Sequence, residues 1–200
     1  MNESNTISKP RSGTQRTGGR SARVKQATLE SAIAELTEVG YTNFNIGAVA
    51  KRAGVHESTI YRRWERKEEL IGEACGSFAS AILPVPDTGN LEEDLRIVFT
   101  NLAALLESPL GRTLIALSFS AHEDEAFEEM RESLWRTRID AGQKVFEQAA
   151  QRGEWPATFD RSAVFAEVIG PFLAQSFILK EALTSETIER RIRTVLSMRG

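Results

Sequence analysis

Two hundred residues with 41% hydrophobic content suffice for one medium domain, or for a small domain and a larger one, and exclude a chain too polar to fold. The single cysteine, Cys75, excludes an internal disulfide framework and fits a reducing cytoplasm, as a small core residue or a redox sensor. The net charge of −3 hides a division: residues 1–67 carry twelve Lys and Arg against six Asp and Glu, and residues 68–200 carry thirteen against twenty-two. A head of net +6 on a body of net −9 is what a polyanion-binding domain joined to a solvated regulatory domain requires.

Residues 1–20 are rich in Ser, Thr, Gly, Lys and Arg and are expected to be disordered. Lys9, Arg11, Arg16 and Arg20 make them either an arm that follows a phosphate backbone or an inert solubilising tail. No apolar leader segment opens the chain, and the most apolar stretch, 165–179, is interrupted by Glu167, Pro171 and Gln175. It is also shorter than the roughly 20 residues a membrane helix needs, so no membrane association is expected.

The first helix is predicted over Ser21–Val39, with Val24, Ala27, Ile33 and Leu36 along one face and Gly40 as its stop. Asn45 then caps a short helix whose inner face is Ile46, Val49 and Ala50. Gly54 supplies the left-handed end and Val55 plugs the turn. The next helix opens at His56-Glu57-Ser58-Thr59, with Ile60 and Trp64 inward and Tyr61, Arg62 and Arg63 outward. A fourth is predicted over Lys67–Ala81, with Leu70, Ile71, Ala74 and Phe78 inward. Pro84 and Pro86 end it, and Asp87-Thr88-Gly89-Asn90 makes a turn, so a boundary is placed between domains at 21–81 and 87–200.

Beyond the boundary, Asn90 and Glu93 cap a helix with the stripe Leu91, Leu95, Val98, Phe99, Leu102, Leu105 and Leu106. Pro109 opens another with Leu110, Leu114 and Leu117 in register. A long helix follows from about Glu123 to Gln151, one capped by Asp160 runs through Leu183 with a kink at Pro171, and the last starts at Thr184 or Ser185 and ends near Met198. No segment alternates with period two between turn signals, so the fold is read as all-α: an N-terminal three-helix helix-turn-helix domain and a C-terminal helical bundle.

Two short helices joined by a glycine turn, the second opening with small polar groups and followed by arginines, suit a major groove. Gly40-Tyr41, Val49-Ala50, Ala53-Gly54-Val55, Tyr61, Trp64 and Lys67-Glu68-Glu69-Leu70 together resemble the DNA-binding domain of TetR-family transcriptional regulators over roughly residues 21–80. Pro86-Asp87-Thr88-Gly89 is similar, more weakly, to the opening of the second domain in one branch of that family. The resemblance implies that Asn45 caps its helix and touches a phosphate, and that Tyr61 and Lys67 grip phosphates. It places His56, Glu57, Ser58, Thr59, Arg62 and Arg63 on the recognition helix. It also implies a homodimeric, ligand-responsive repressor on a palindromic operator; an activator or a ligand-independent regulator would share the same head. Two positions depart from the family pattern, His56 for a Ser at the recognition helix and Arg66 for a Ser that caps the fourth helix.

For an effector, Phe99, Phe119, Trp135, Phe172, Gln175 and Ser176 are candidate cavity residues, because polar groups beside aromatics line helical-bundle cavities. For a dimer, Phe165, Ile169, Phe172, Leu173, Ser176, Ile188, Ile192 and Val195 form broad apolar faces on the last two helices. No catalytic group is assembled, no Gly-rich phosphate loop follows a strand, and no Cys/His spacing suits zinc, so neither enzyme activity nor a cofactor is expected. His122 beside Glu123, Asp124 and Glu125 is read as an acidic helix start rather than a metal site.

Overall fold

The computed structural model describes residues 17–120 and 124–199, and among them every regular element is helical. Helix α1 spans Thr17–Val39, four residues longer at its start than predicted, so Thr17–Arg20 form its first turn rather than part of a disordered arm. Lys9, Arg11 and Arg16 lie outside the described residues. Helices α2 (Ile46–Ala53), α3 (Glu57–Tyr61) and α4 (Lys67–Ile82) follow. Leu29, Leu36, Phe44, Val49, Ile60, Trp64, Leu70 and Ile71 bury the apolar faces of all four against one another.

The second half contains α5 (Leu91–Glu107), α6 (Pro109–Phe119), α7 (Glu125–Gln151), α8 (Arg161–Leu173) and α9 (Ser185–Ser197). Asn90 Oδ1 caps α5 at Glu93 N, 3.0 Å, and Ser108 Oγ caps α6 at Gly111 N, 3.0 Å, with Pro109 in the first turn, where a missing N–H costs nothing. Asp124 caps α7 through Ala126 N, 3.0 Å, so that helix starts two residues later than predicted; His122 and Glu123 lie outside the described residues. No single helix among the described residues is long and apolar enough to cross a membrane; α5 and α6 approach that length only together, bent by 84°.

The predicted single helix from Asp160 to Leu183 divides. Asp160 does accept from Ala163 N, 3.0 Å. Pro171, with no N–H to give, sits near the end of α8, after which Ala174–Leu179 loosen into a π-helical turn. Lys180 then takes a left-handed conformation, φ 56°, unusual for a residue with a side chain. Buried Gln175 secures this return: its backbone carbonyl accepts from Glu181 N at 3.0 Å, and its side-chain Nε2 donates to Ala182 O at 3.0 Å and Thr187 Oγ1 at 3.3 Å.

Two apolar cores result, and the first of them crosses the boundary predicted between residues 81 and 87. The second core joins Leu95, Phe99, Phe146, Val168, Phe172 and Ile192. The first is closed by Leu117 from α6 and by Phe127 and Met130 from α7. Phe127 is fully buried and meets the Tyr41 ring edge-on, 4.6 Å between centroids.

The turn between the halves is held by Asp94, a fully buried carboxylate on α5. It accepts from Thr88 N and Thr88 Oγ1, both at 2.8 Å, and from Arg152 Nη2 at 3.1 Å; Arg152 also reaches Asp87 at 2.7 Å. Asp94→Ala would remove the acceptor of three hydrogen bonds at once and is expected to cost about 3 kcal/mol, read as a lower urea midpoint with unchanged slope.

Candidate nucleic-acid interface and regulatory cavity

The helix-turn-helix is fixed by local chemistry. Asn45 Oδ1 accepts from Ala48 N at 3.0 Å at the start of α2. At its end Gly54 adopts φ 67°, and Val55 N reaches back to Ala50 O at 3.0 Å, closing the helix as a left-handed glycine cap does. Arg52 ties α2 to α1 through Glu38 with bonds of 3.0 and 2.7 Å. Gly47 admits α3 closely: a Cβ there would stand 2.9 Å from Glu57 Oε1. The Glu57 carboxylate therefore lies over the start of α2, where the helix dipole favours a negative charge.

Helix α3 is shorter than predicted, its last residues becoming a turn through Arg63. Ile60 and Trp64 are buried as expected, while His56, Ser58, Tyr61, Arg62 and Arg63 are exposed and Thr59 is half-exposed. His56 precedes α3 without capping it through its side chain. Arg62, Arg63 and Thr59 share an open cleft with Arg20, Lys25 and Thr28 of α1. The described residues lining that cleft include four basic side chains and no acid, which is the electrostatics an anionic backbone requires. Lys67 lies 4.1 Å over the Tyr41 ring, and Arg66, whose side chain does not cap α4, is 3.6 Å from Glu69 of α4 and 3.7 Å from Glu129 of α7, so its compensation comes from both halves of the chain.

Glu73 on α4 joins three elements. It pairs with Lys25 of α1 and accepts from Trp64 Nε1 at 2.7 Å, just after α3. Burial alone would raise its pKa, but the hydrogen bonds from Lys25 and Trp64 outweigh burial and hold it below the usual 4.5. A lowered carboxylate stabilises the fold above its unfolded pKa and loses that contribution as pH falls through the folded value. The Tm advantage of the native chain over Glu73→Gln should thus be constant from neutral pH down to about 5 and shrink as pH drops below 4.5.

Between α4, α5, α6, α7 and α8 lies a cavity of about 190 Å³. Cys75 and Ala79 line it from α4, Phe99 and Leu102 from α5, and Leu134, Trp135 and Arg138 from α7. Burial pushes the Cys75 thiol up to about 12, so it is a protonated, inert wall residue at neutral pH. Of the predicted effector residues, Phe99 and Trp135 face this space and four do not. Phe119 is exposed, at 74%, as the last residue of α6; Phe172 packs on Phe99 in the second core; Gln175 holds the π-helical return; and Ser176 is outside the lining. The lining arginines Arg131 and Arg138 were missed, although they flank Leu134 and Trp135 on one face of α7 at a seven-residue spacing.

Residues 29–74 match the bacterial regulatory proteins, tetR family, and residues 85–195, more than half of the chain, match the tetracyclin repressor-like C-terminal domain. The chain belongs to the TetR family. It is 32% identical to the HTH-type transcriptional regulator AqdR of Rhodococcus erythropolis over 78% of its length and 75% of that protein. With the DNA-binding transcriptional repressor TetR of Mycobacteroides abscessus it shares 31% identity over 85% of its length and 90% of the relative. The crystal structure of the TetR family regulator SCO0332 superposes with a TM-score of 0.73 at 20% identity, covering 88% of this chain and 97% of the other.

As a TetR-family regulator the protein is a helix-turn-helix transcription factor, and its second half is the tetracyclin repressor-like C-terminal domain. The predicted dimer residues are redistributed by the structure. Phe172, Ile188, Ile192 and Val195 are between 1% and 6% exposed inside their own subunit and have no surface to offer a partner. Phe165, Ile169 and Leu173 are half-buried and turn toward the cavity; Ser176 is half-buried. The described surface left outside on α8 is Ala163, Ala166, Glu167 and Gly170, three small residues and one carboxylate, followed by Ile178 and Leu179 at 77% and 62% exposure. The helical period locates an apolar face; it does not say whether the neighbour is another helix or another molecule.

Proposed function

We propose that this TetR-family regulator is a ligand-responsive repressor that binds a palindromic operator as a homodimer. Arg62 and Arg63, with His56, Glu57, Ser58 and Thr59, would enter one major groove per subunit, and Asn45, Tyr61 and Lys67 would hold flanking phosphates. The outward side of α8, with Ile178 and Leu179, would meet the second copy, since small residues let backbones approach and exposed apolar groups gain from cover.

One observation carries the response to a ligand. Helix α4 puts Leu70, Ile71 and Ala74 into the core of the DNA-binding head and Cys75 and Ala79 onto the cavity; α7 likewise gives Phe127 and Met130 to the head and Leu134 and Trp135 to the cavity. A ligand that fits one arrangement of α4 and α7 better than another therefore shifts the population of head orientations, and with it the distance between paired α3 helices.

Selection from random duplex DNA should enrich a palindrome whose half-sites lie about one helical turn, or a multiple, apart. Only salt-sensitive background binding, with no enriched sequence, would remove the reading.

A further inference from the structure

The cavity is apolar save for a few polar side chains, and its described lining holds two arginines and no carboxylate. Arg131 is answered within the protein as a charge: it pairs with Glu128 and donates to Ser118 O at 3.2 Å, its Nε alone lying buried without an acceptor. Arg138 is not. Among the described residues it has no ion pair and no hydrogen bond, and its Nη1 is buried without an acceptor. Burial lowers its pKa, although a guanidinium remains charged at neutral pH. Arg138 is half-buried, and a partly desolvated cation with no counter-charge leaves its buried Nη1 donor unsatisfied, at a cost that no wall group relieves.

Two further features narrow the occupant. With Arg131 neutralised by Glu128, a single uncompensated positive charge faces the space, which favours a monoanion over a cation, a neutral polar molecule or a dianion. The volume, about 190 Å³, is not far above the roughly 150 Å³ that admits a benzene ring, so the apolar part is compact. Leu102, Leu134, Phe99, Trp135 and Phe165 supply the apolar wall, the last two in edge-on contact at 6.2 Å.

We infer that the cavity binds a compact amphiphilic carboxylate, its apolar body, about the bulk of one substituted aromatic ring, among these side chains and its carboxylate accepting a hydrogen bond from Arg138 Nη1. The inference rests on the ligand-responsive reading above and names the chemistry of the effector.

The test uses the full-length protein and matched probes: benzoate, 4-phenylbutyrate and octanoate, each beside its primary amide, which keeps the shape and drops the charge. By calorimetry at least one acid should bind at least about tenfold more tightly than its amide, the size of a charge-assisted hydrogen bond. Arg138→Met and Arg138→Gln should both abolish that preference while leaving amide affinity and the far-ultraviolet dichroism unchanged. Arg136→Met, on the same helix but with its side chain 74% exposed, should preserve the preference. Equal affinity for acids and amides, no binding by any acid, or a preference that survives both Arg138 substitutions would overturn the inference. An acid that binds through Arg138 without weakening operator affinity would uphold the site and overturn ligand-responsive repression instead.

Discussion

Arg62→Ala/Arg63→Ala is expected to lower affinity for the selected operator by roughly two to four orders of magnitude while the fold stays intact. Each arginine that bonds a guanine edge in two places contributes about 1–3 kcal/mol of discrimination, and one that meets a phosphate instead contributes to the salt dependence. The two cases separate in one titration. Loss of base contacts flattens the difference between operator and random DNA; loss of phosphate contacts weakens both and reduces the slope of log affinity against log salt by about one per contact. Both side chains are exposed and share their cleft with Arg20 and Lys25, so thermal unfolding should hardly move. Arg63 rests 5.6 Å over the Trp64 ring, an exposed contact of small stabilising effect. Operator affinity unchanged within about threefold would show that another surface reads the DNA.

Phe127→Ala should be the most destabilising single truncation in the DNA-binding head, although residue 127 belongs to α7 in the other half of the chain. The ring is fully buried, lies against Tyr41 and helps close the core formed by α1 to α4. Deleting it removes the transfer free energy of the ring and leaves a void beside rigid helices, a loss of about 3–5 kcal/mol. In a protein of this length that corresponds to a Tm lower by roughly 6–20 °C. Hydrogen exchange would show where the loss falls: the amides of α1 and α4 should lose protection along with those of α7. A change in Tm below about 2 °C, or lost protection confined to α7, would mean that the head is stable without this contact.

How much of this the sequence disclosed depends on how far the deciding contact reaches. The helix-turn-helix was legible because Asn45 bonds three residues ahead, Gly54 sets its own backbone, and Val55 returns to Ala50. The head's other braces are long-range. That Arg66 faces Glu129, or that Glu73 gathers Lys25 and Trp64, follows from helix packing that no local pattern encodes. The effector and dimer residues show the same limit. Phe172 and Ile192 have the right period for an interface and are instead core, because periodicity gives the direction of a side chain along a helix and not the identity of what lies opposite. Pro171 announced a disturbance, but the widened turn from Ala174 and the left-handed Lys180 are answers set by Gln175 and its partners on the return to α9.

The plug that Leu117, Phe127 and Met130 insert beneath the head bears on how these regulators can be recombined. A fragment ending at Ile82 would expose an apolar socket and lack the Phe127 ring beside Tyr41, so it would tend to self-associate rather than read DNA. Transferring this protein's sequence preference to another regulator therefore calls for grafting the exposed positions of residues 57–63 onto a host that keeps its own plug, or for moving the head with α6 and the first turns of α7 attached. Exchange of whole cassettes at the proline-rich turn would join each socket to a foreign stopper.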